Sequence, residues 1–196
     1  MHTHRVVSET DIDAAIGPHR RLVVVGDDAG LAAVLTRLLR AERLDIEVAY
    51  VARRRTPATR IYRLPAGRRA ARRAGRGAAG RVPLIRDETG SVIVGRAGWL
   101  PPDDARCIHG EAVVDDTTLF DGDAAAVWIE PTLTMPGLRA AVGGRGLGRP
   151  WRGWVTGRAA QLGSTGVAVL RDSVPAPRTA RRSAFYRHIE GWLLVR

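Results

Sequence analysis

The sequence predicts a two-part fold, α/β plus β: a parallel α/β lobe followed by a mainly antiparallel β lobe. Three observations carry this. Up to about residue 80, short apolar strands alternate with amphipathic helices at the lengths of a βαβ unit. From about Val82 the texture becomes short apolar stretches broken by turn residues, the pattern of antiparallel sheet. Between the two lies Gly75-Arg76-Gly77-Ala78-Ala79-Gly80, which places the expected domains at 1–80 and 81–196.

Taken in order, Ser8-Glu9-Thr10-Asp11 has the form of a helix N-cap with an acid three positions on, and that helix should run to Ile16 and stop at Gly17-Pro18. Leu22 to Val25 is a continuous apolar strand, as expected for one covered on both faces. Leu31, Val34, Leu35, Leu38 and Leu39 then share one helical face, with Arg37, Arg40 and Glu42 turned away. Residues 46–51 and 60–64 read as two further strands. After Pro65-Ala66-Gly67, a helix should carry Arg68, Arg69, Arg72, Arg73 and Arg76 on one side and Ala70, Ala71 and Ala74 on the other. In the second part strands are expected at 91–95, 111–114, 124–129, 154–162, 167–171 and 191–195. Turn runs such as Asp121-Gly122-Asp123 and Gly143-Gly144-Arg145-Gly146 divide them.

Composition limits the function classes. With 45% apolar and 26% charged residues, 196 residues are ordinary globular material. No apolar run approaches the ~20 residues of a membrane span, and the N-terminus lacks the apolar core of a signal peptide, so a cytoplasmic location is the default. The single cysteine, Cys107, excludes an internal disulfide. The five histidines have no ligand spacing, so no metal site is read from them. The net charge of +11 rests entirely on arginine, with neither lysine nor asparagine present, a bias that GC-rich coding would also produce. Its distribution is uneven: residues 51–100 hold thirteen arginines against two acids, while residues 1–50 hold six against eight.

Four segments carry chemistry. Val23-Val24-Val25-Gly26-Asp27-Asp28-Ala29-Gly30-Leu31 is a strand, a small-residue turn and a helix start, a shape that brings backbone N–H groups and a helix N-terminus to phosphate. It resembles the G-G-D-G-T turn of the diacylglycerol kinase and NAD kinase superfamily, with Gly26 and Asp28 in register. Asp27 and Ala29 replace glycines, and Gly30 replaces threonine. Asp27 or Asp28 either caps the helix or, with Mg²⁺ bound, faces phosphates. Pro65-Ala66-Gly67-Arg68 resembles that family's P-x-G-T-x-N-D turn, keeping Pro65 and Gly67 but losing the polar residues that contact nucleotide in the family. Asp172 matches the acid of a late D-G-E hairpin, with Ser173 and Val174 in place of Gly and Glu. Pro131, Gly137 and Leu138 match a P-x-A…D-G-L loop in which Pro136 stands where the family has its acid.

The resemblance implies a truncated kinase-like lobe with degenerate motifs and no assigned catalytic residue. It further implies a nucleotide- or phosphate-binding region at Gly26, Asp27, Asp28, Gly30, Pro65, Gly67 and Arg68. The leading reading is a kinase-like protein without efficient phosphoryl transfer, a pseudoenzyme taking a phosphate-bearing or lipid ligand between its lobes. One alternative is an active lipid kinase using ATP and Mg²⁺. The other is a nucleic-acid-associated protein using the basic patch Arg68, Arg69, Arg72, Arg73 and Arg76. The family's opening strand has no counterpart before Leu22, so the sheet edge there would suit a homodimer.

Overall fold

The computed structural model describes residues 9–17, 19–103, 105–144 and 153–196. Ser8, Pro18, Arg145 and Gly146, on which expectations fell, lie outside the described residues. The first lobe is a four-stranded sheet in the order β1 (Arg21–Val25), β2 (Glu47–Val51), β15 (Trp192–Val195) and β3 (Ala79–Val82). β2 runs parallel to both β1 and β15, and β3 closes the far edge antiparallel to β15. β1 forms the other edge and is not covered on both faces as its apolar run led one to expect. No residue of it is fully buried, and Val25 is three-quarters exposed because no strand among the described residues pairs beyond it.

Four helices accompany this sheet: α1 (Glu9–Ile16), α2 (Asp28–Arg40), α3 (Pro57–Ile61) and α4 (Arg68–Arg76). Alternation along β2 decides their placement. Val48 and Tyr50 join the core formed with Leu31, Leu35 and Leu38 of α2, whereas Ala49 and Val51 meet Ala70 and Ala74 of α4. A strand used on both faces must be apolar throughout, which is how β2 reads. Ala71, expected on the buried face of α4, is exposed; only Ala70 and Ala74 are covered.

Residues 60–64 are not a strand. Thr56 caps α3 in a reciprocal box with Thr59, and Pro57 occupies the first turn, where its missing N–H costs nothing. The apolar Ile61, Tyr62 and Leu64 follow from that short helix into a turn and enter the core from there.

Beyond β3, the second lobe comprises β4 (Ile85–Asp87), β5 (Val92–Ile93), β6 (Ala97–Leu100), β7 (Ile108–Val114), β8 (Thr117–Ala124), β9 (Val127–Pro131), β10 (Leu138–Val142), β11 (Val155–Gly157), β12 (Ala159–Arg171), β13 (Val174–Pro175) and β14 (Ala180–Arg187). Every pairing among them is antiparallel. β12 is the spine: its first half pairs with β7 and β14, its second with β6 and β13. The two strands expected at 154–162 and 167–171 are therefore β11 plus one long β12, whose pairing with β14 shifts register between Gly163 and Val167. The single strand expected at 124–129 is the end of β8 followed by β9.

The chain crosses between lobes twice, from β3 to β4 and from β14 to β15, and the crossings are tied by a 2.8 Å bond from the His188 N–H to the Leu84 carbonyl. A division at residue 80 cuts through β3, and the first lobe's sheet takes its third strand from the C-terminus. Among the described residues no helix is long and apolar enough to cross a membrane.

Candidate functional site

The turn after β1 enters α2 at the inter-lobe seam. Asp27 is the N-cap: its Oδ1 accepts the Gly30 N–H at 2.8 Å. The position at which an anion would meet the α2 N-terminus is thus filled by the chain's own carboxylate. Asp28, the first helical residue, is buried. Its Oδ1 accepts the Tyr50 hydroxyl at 2.8 Å and its Oδ2 the Ala58 N–H at 3.0 Å, so it ties β2 and the start of α3 to α2. Burial and this acceptor together push the Tyr50 hydroxyl above its ordinary pKa.

Asp172 approaches from the second lobe. Asp172 and Ser173 form the two-residue turn between β12 and β13, both with positive φ (46° and 72°), as a primed hairpin turn requires. The Asp172 carboxylate accepts three backbone N–H groups, from Val94, Gly95 and Arg96, at 2.7–2.9 Å. Burial nevertheless pushes its pKa up to about 7, with the nearby Asp28 charge adding to the rise. Gly95 lies between the two acids: a Cβ there would stand 2.7 Å from Asp28 Oδ2 and 2.9 Å from Asp172 Oδ1. Only glycine lets both carboxylates close on this point.

The third component is Glu130 on β9, whose side chain is fully buried. It accepts Arg96 Nε at 2.8 Å, Arg139 Nη2 at 2.6 Å and Arg60 Nη2 at 3.3 Å. Arg96 also lies over the Trp128 ring, 5.6 Å from its centroid. One carboxylate therefore serves three guanidiniums, leaving local positive charge beside the two aspartates. Asp28, Pro57, Arg60, Arg96, Trp128, Leu170, Asp172 and Ser173 enclose a cavity of about 210 Å³ at this seam. A larger concavity, about 540 Å³, lies on the other side of Arg60, bounded by Arg55, Thr59, Arg63, Leu64, Pro65, Arg69 and Arg73.

Of the residues expected to bind phosphate, Gly26, Asp27, Asp28 and Gly30 do share one turn, and of these Asp28 lines the inter-lobe cavity. Pro65 lines the larger concavity. Gly67, at φ 62°, precedes α4 and donates its N–H to the Ala52 carbonyl at 2.8 Å. Arg68 is exposed at the start of α4, and neither it nor Gly67 borders either space. Arg69 and Arg73 of the basic patch border the larger one, while Arg72 and Arg76 are exposed elsewhere on α4. Sequence reasoning missed Arg60, Gly95, Arg96, Trp128 and Glu130, which converge only through tertiary structure.

The donor set does not suit Mg²⁺. Asp27 is spent on capping, both oxygens of Asp28 are already bonded within the chain, and Asp172 is held by three amides. Among the described residues no three potential ligands cluster.

No family model matches the sequence, and no curated protein matches it. Solved structures do match in three dimensions. A diacylglycerol kinase from Bacillus anthracis str. Sterne superposes with a TM-score of 0.72 over 100% of this chain and 84% of its own, at 11% identity. The chain shares its fold with solved diacylglycerol kinase and NAD kinase structures. An NAD kinase from Archaeoglobus fulgidus, solved in complex with ATP, gives 0.64 over 96% of this chain and 80% of its own, at 12% identity. Yeast NADH kinase complexed with NADH gives 0.61 over 96% of this chain and 64% of its own, also at 12% identity.

Proposed function

We propose that this chain is a kinase-like pseudoenzyme that binds a phosphate-bearing or lipid headgroup ligand in the inter-lobe cavity without efficient phosphoryl transfer. The observation that carries the reading is the Asp27 cap. By accepting the Gly30 N–H, it places negative charge at the α2 N-terminus, the position that a phosphate would otherwise favour. The cavity agrees in size: about 210 Å³ is below the roughly 300–1,000 Å³ of ordinary small-molecule sites, so it suits a phosphate group and its immediate substituent better than a whole nucleotide. Arg60 and Arg96 on its wall supply the charge-assisted donors. Thermal unfolding in the presence of glycerol 3-phosphate, short-chain phosphatidic acid and ATP tests this. Either of the first two should raise Tm, and Arg60→Ala should weaken that response about tenfold. No shift with any of the three overturns the reading.

Asp172 favours a second reading, an active ATP-dependent lipid kinase. A buried carboxyl with a pKa of about 7 beside a cavity is poised to take a proton from a substrate hydroxyl. The superposable Archaeoglobus fulgidus enzyme binds ATP, which is consistent with a nucleotide here. This reading requires turnover with Mg²⁺ and ATP that Asp172→Asn abolishes.

A further inference from the structure

Between Val48 and Arg86 the sequence contains twelve arginines and no acid. Coding bias would scatter arginine among carboxylates, and elsewhere in this chain it does: Arg21 pairs with Glu47, Arg37 with Asp13, Arg43 with Asp45 and Arg171 with Asp87. Arg55, Arg63, Arg69 and Arg73 differ. Among the described residues no carboxylate pairs with any of them, yet they converge with Arg60 on one concavity of about 540 Å³. Arg55 comes from the loop after β2, Arg60 and Arg63 from α3 and its following turn, and Arg69 and Arg73 stand one turn apart on α4. Like charges gathered in a groove repel one another and focus a positive field into it, an arrangement relieved by a bound polyanion.

We infer that the groove between α3 and α4 grips the phosphate backbone of a nucleic acid without regard to base sequence. Guanidinium groups match phosphate oxygens in planar, two-pronged geometry, and several phosphates in a row are needed to satisfy guanidiniums supplied from three segments. The lining contains no aromatic ring on which a base could stack, and its polar side chains are guanidiniums with one hydroxyl, Thr59, a set dominated by phosphate-binding groups. An anionic membrane fits less well. Among the described residues the exposed large apolar side chains are Val23, Val25, Met135, Val174 and Ile189, all outside α3, α4 and their loops, and the surface is concave where a bilayer is flat.

Fluorescence anisotropy of the full chain with a short labelled single strand, repeated with an unrelated sequence and across a salt series, tests the inference. Affinity should be alike for both sequences and should fall with salt, with a log–log slope of about −0.7 per phosphate engaged. The double variant Arg69→Glu with Arg73→Glu should bind at least roughly tenfold more weakly and with a shallower slope. Arg178→Glu with Arg182→Glu, in the unrelated cationic stretch leading into β14, should bind as the wild type does. Arg69→Gln with Arg73→Gln, which removes the same two charges without reversing them, guards against a folding artefact and should also weaken binding. Unchanged affinity in the α4 variants overturns the inference, as does salt-sensitive capture by phosphatidylglycerol vesicles in the absence of oligonucleotide binding. Arg69 and Arg73 do not border the inter-lobe cavity, so the ligand response there should persist in these variants.

Discussion

Gly95→Ala should destabilise this protein far more than one added methyl suggests. The new Cβ would lie 2.7 Å from Asp28 Oδ2, 2.9 Å from Asp172 Oδ1 and 3.1 Å from Pro57 Cβ. Neither carboxylate can swing aside cheaply. Asp28 is held by the Tyr50 hydroxyl and the Ala58 amide, and Asp172 by the amides of Val94, Gly95 and Arg96. Overpacking of a filled site costs about 1–3 kcal/mol, and displacing one buried hydrogen bond adds about 1 kcal/mol. The expected loss is therefore about 2–4 kcal/mol, or roughly 4–16 °C in Tm for a chain of this size. Urea unfolding followed by tryptophan fluorescence, with a parallel thermal scan, measures it. Gly163→Ala is the control, since a Cβ there meets nothing within 4 Å; it should stay within about 0.5 kcal/mol of wild type. If Gly95→Ala proves equally silent, the two aspartates do not converge and the description of the seam is wrong.

Other perturbations follow from the same geometry. Glu130→Gln strips the buried counter-charge from Arg96 and Arg139 and should cost about 3–5 kcal/mol by chemical denaturation. Ser173→Gly relieves a non-glycine residue at φ 72° and should gain about 1 kcal/mol, provided the turn keeps its conformation. Asp27→Ala removes the α2 cap and should cost about 0.5–2 kcal/mol. Asp172 is more basic folded than unfolded, so the native state holds the extra proton between about pH 4 and 7. Its contribution to stability is therefore largest in acid and declines as pH rises through that window, by no more than about 1.4 kcal/mol per pH unit, then flattens above about pH 7. In paired denaturation series, Asp172→Asn should abolish that slope.

Much of the first lobe was legible in the sequence because each element declares itself locally. β1 and β2 are continuous apolar runs, α2 has five apolar residues on one face, and α4 separates arginine from alanine. The error at residues 60–64 has a physical source. Ile61, Tyr62 and Leu64 look like strand residues in isolation, while the capping signal that makes α3, Thr56-Pro57 with Thr59, lies just upstream. β15 was read as a strand, but nothing local states that it would leave the antiparallel lobe and insert beside β2; that pairing joins Leu193 and Leu194 to the distant Glu47 and Val48. The site divides in the same way. Asp27 and Asp28 stand out as an acidic pair in a glycine turn, and the sequence offered capping as one of their two roles, which Asp27 fulfils. Arg96 and Glu130 carry no motif at all, since their meaning comes from a buried ion pair between β9 and the loop before β6. Arg55, Arg60 and Arg63 were visible as charge but not as a groove, because the false strand hid the short helix α3 around which they are arranged.

Phosphoryl transfer itself is the decisive measurement. Supplied with Mg²⁺, ATP and dispersed diacylglycerol, the wild-type chain should transfer no phosphate above a protein-free blank, and Asp28→Asn should leave that blank unaltered. Steady turnover by the wild type, lost in Asp28→Asn, would show that the turn after β1 still handles a nucleotide and would contradict the reading of Asp27 and Asp28 as purely structural acids.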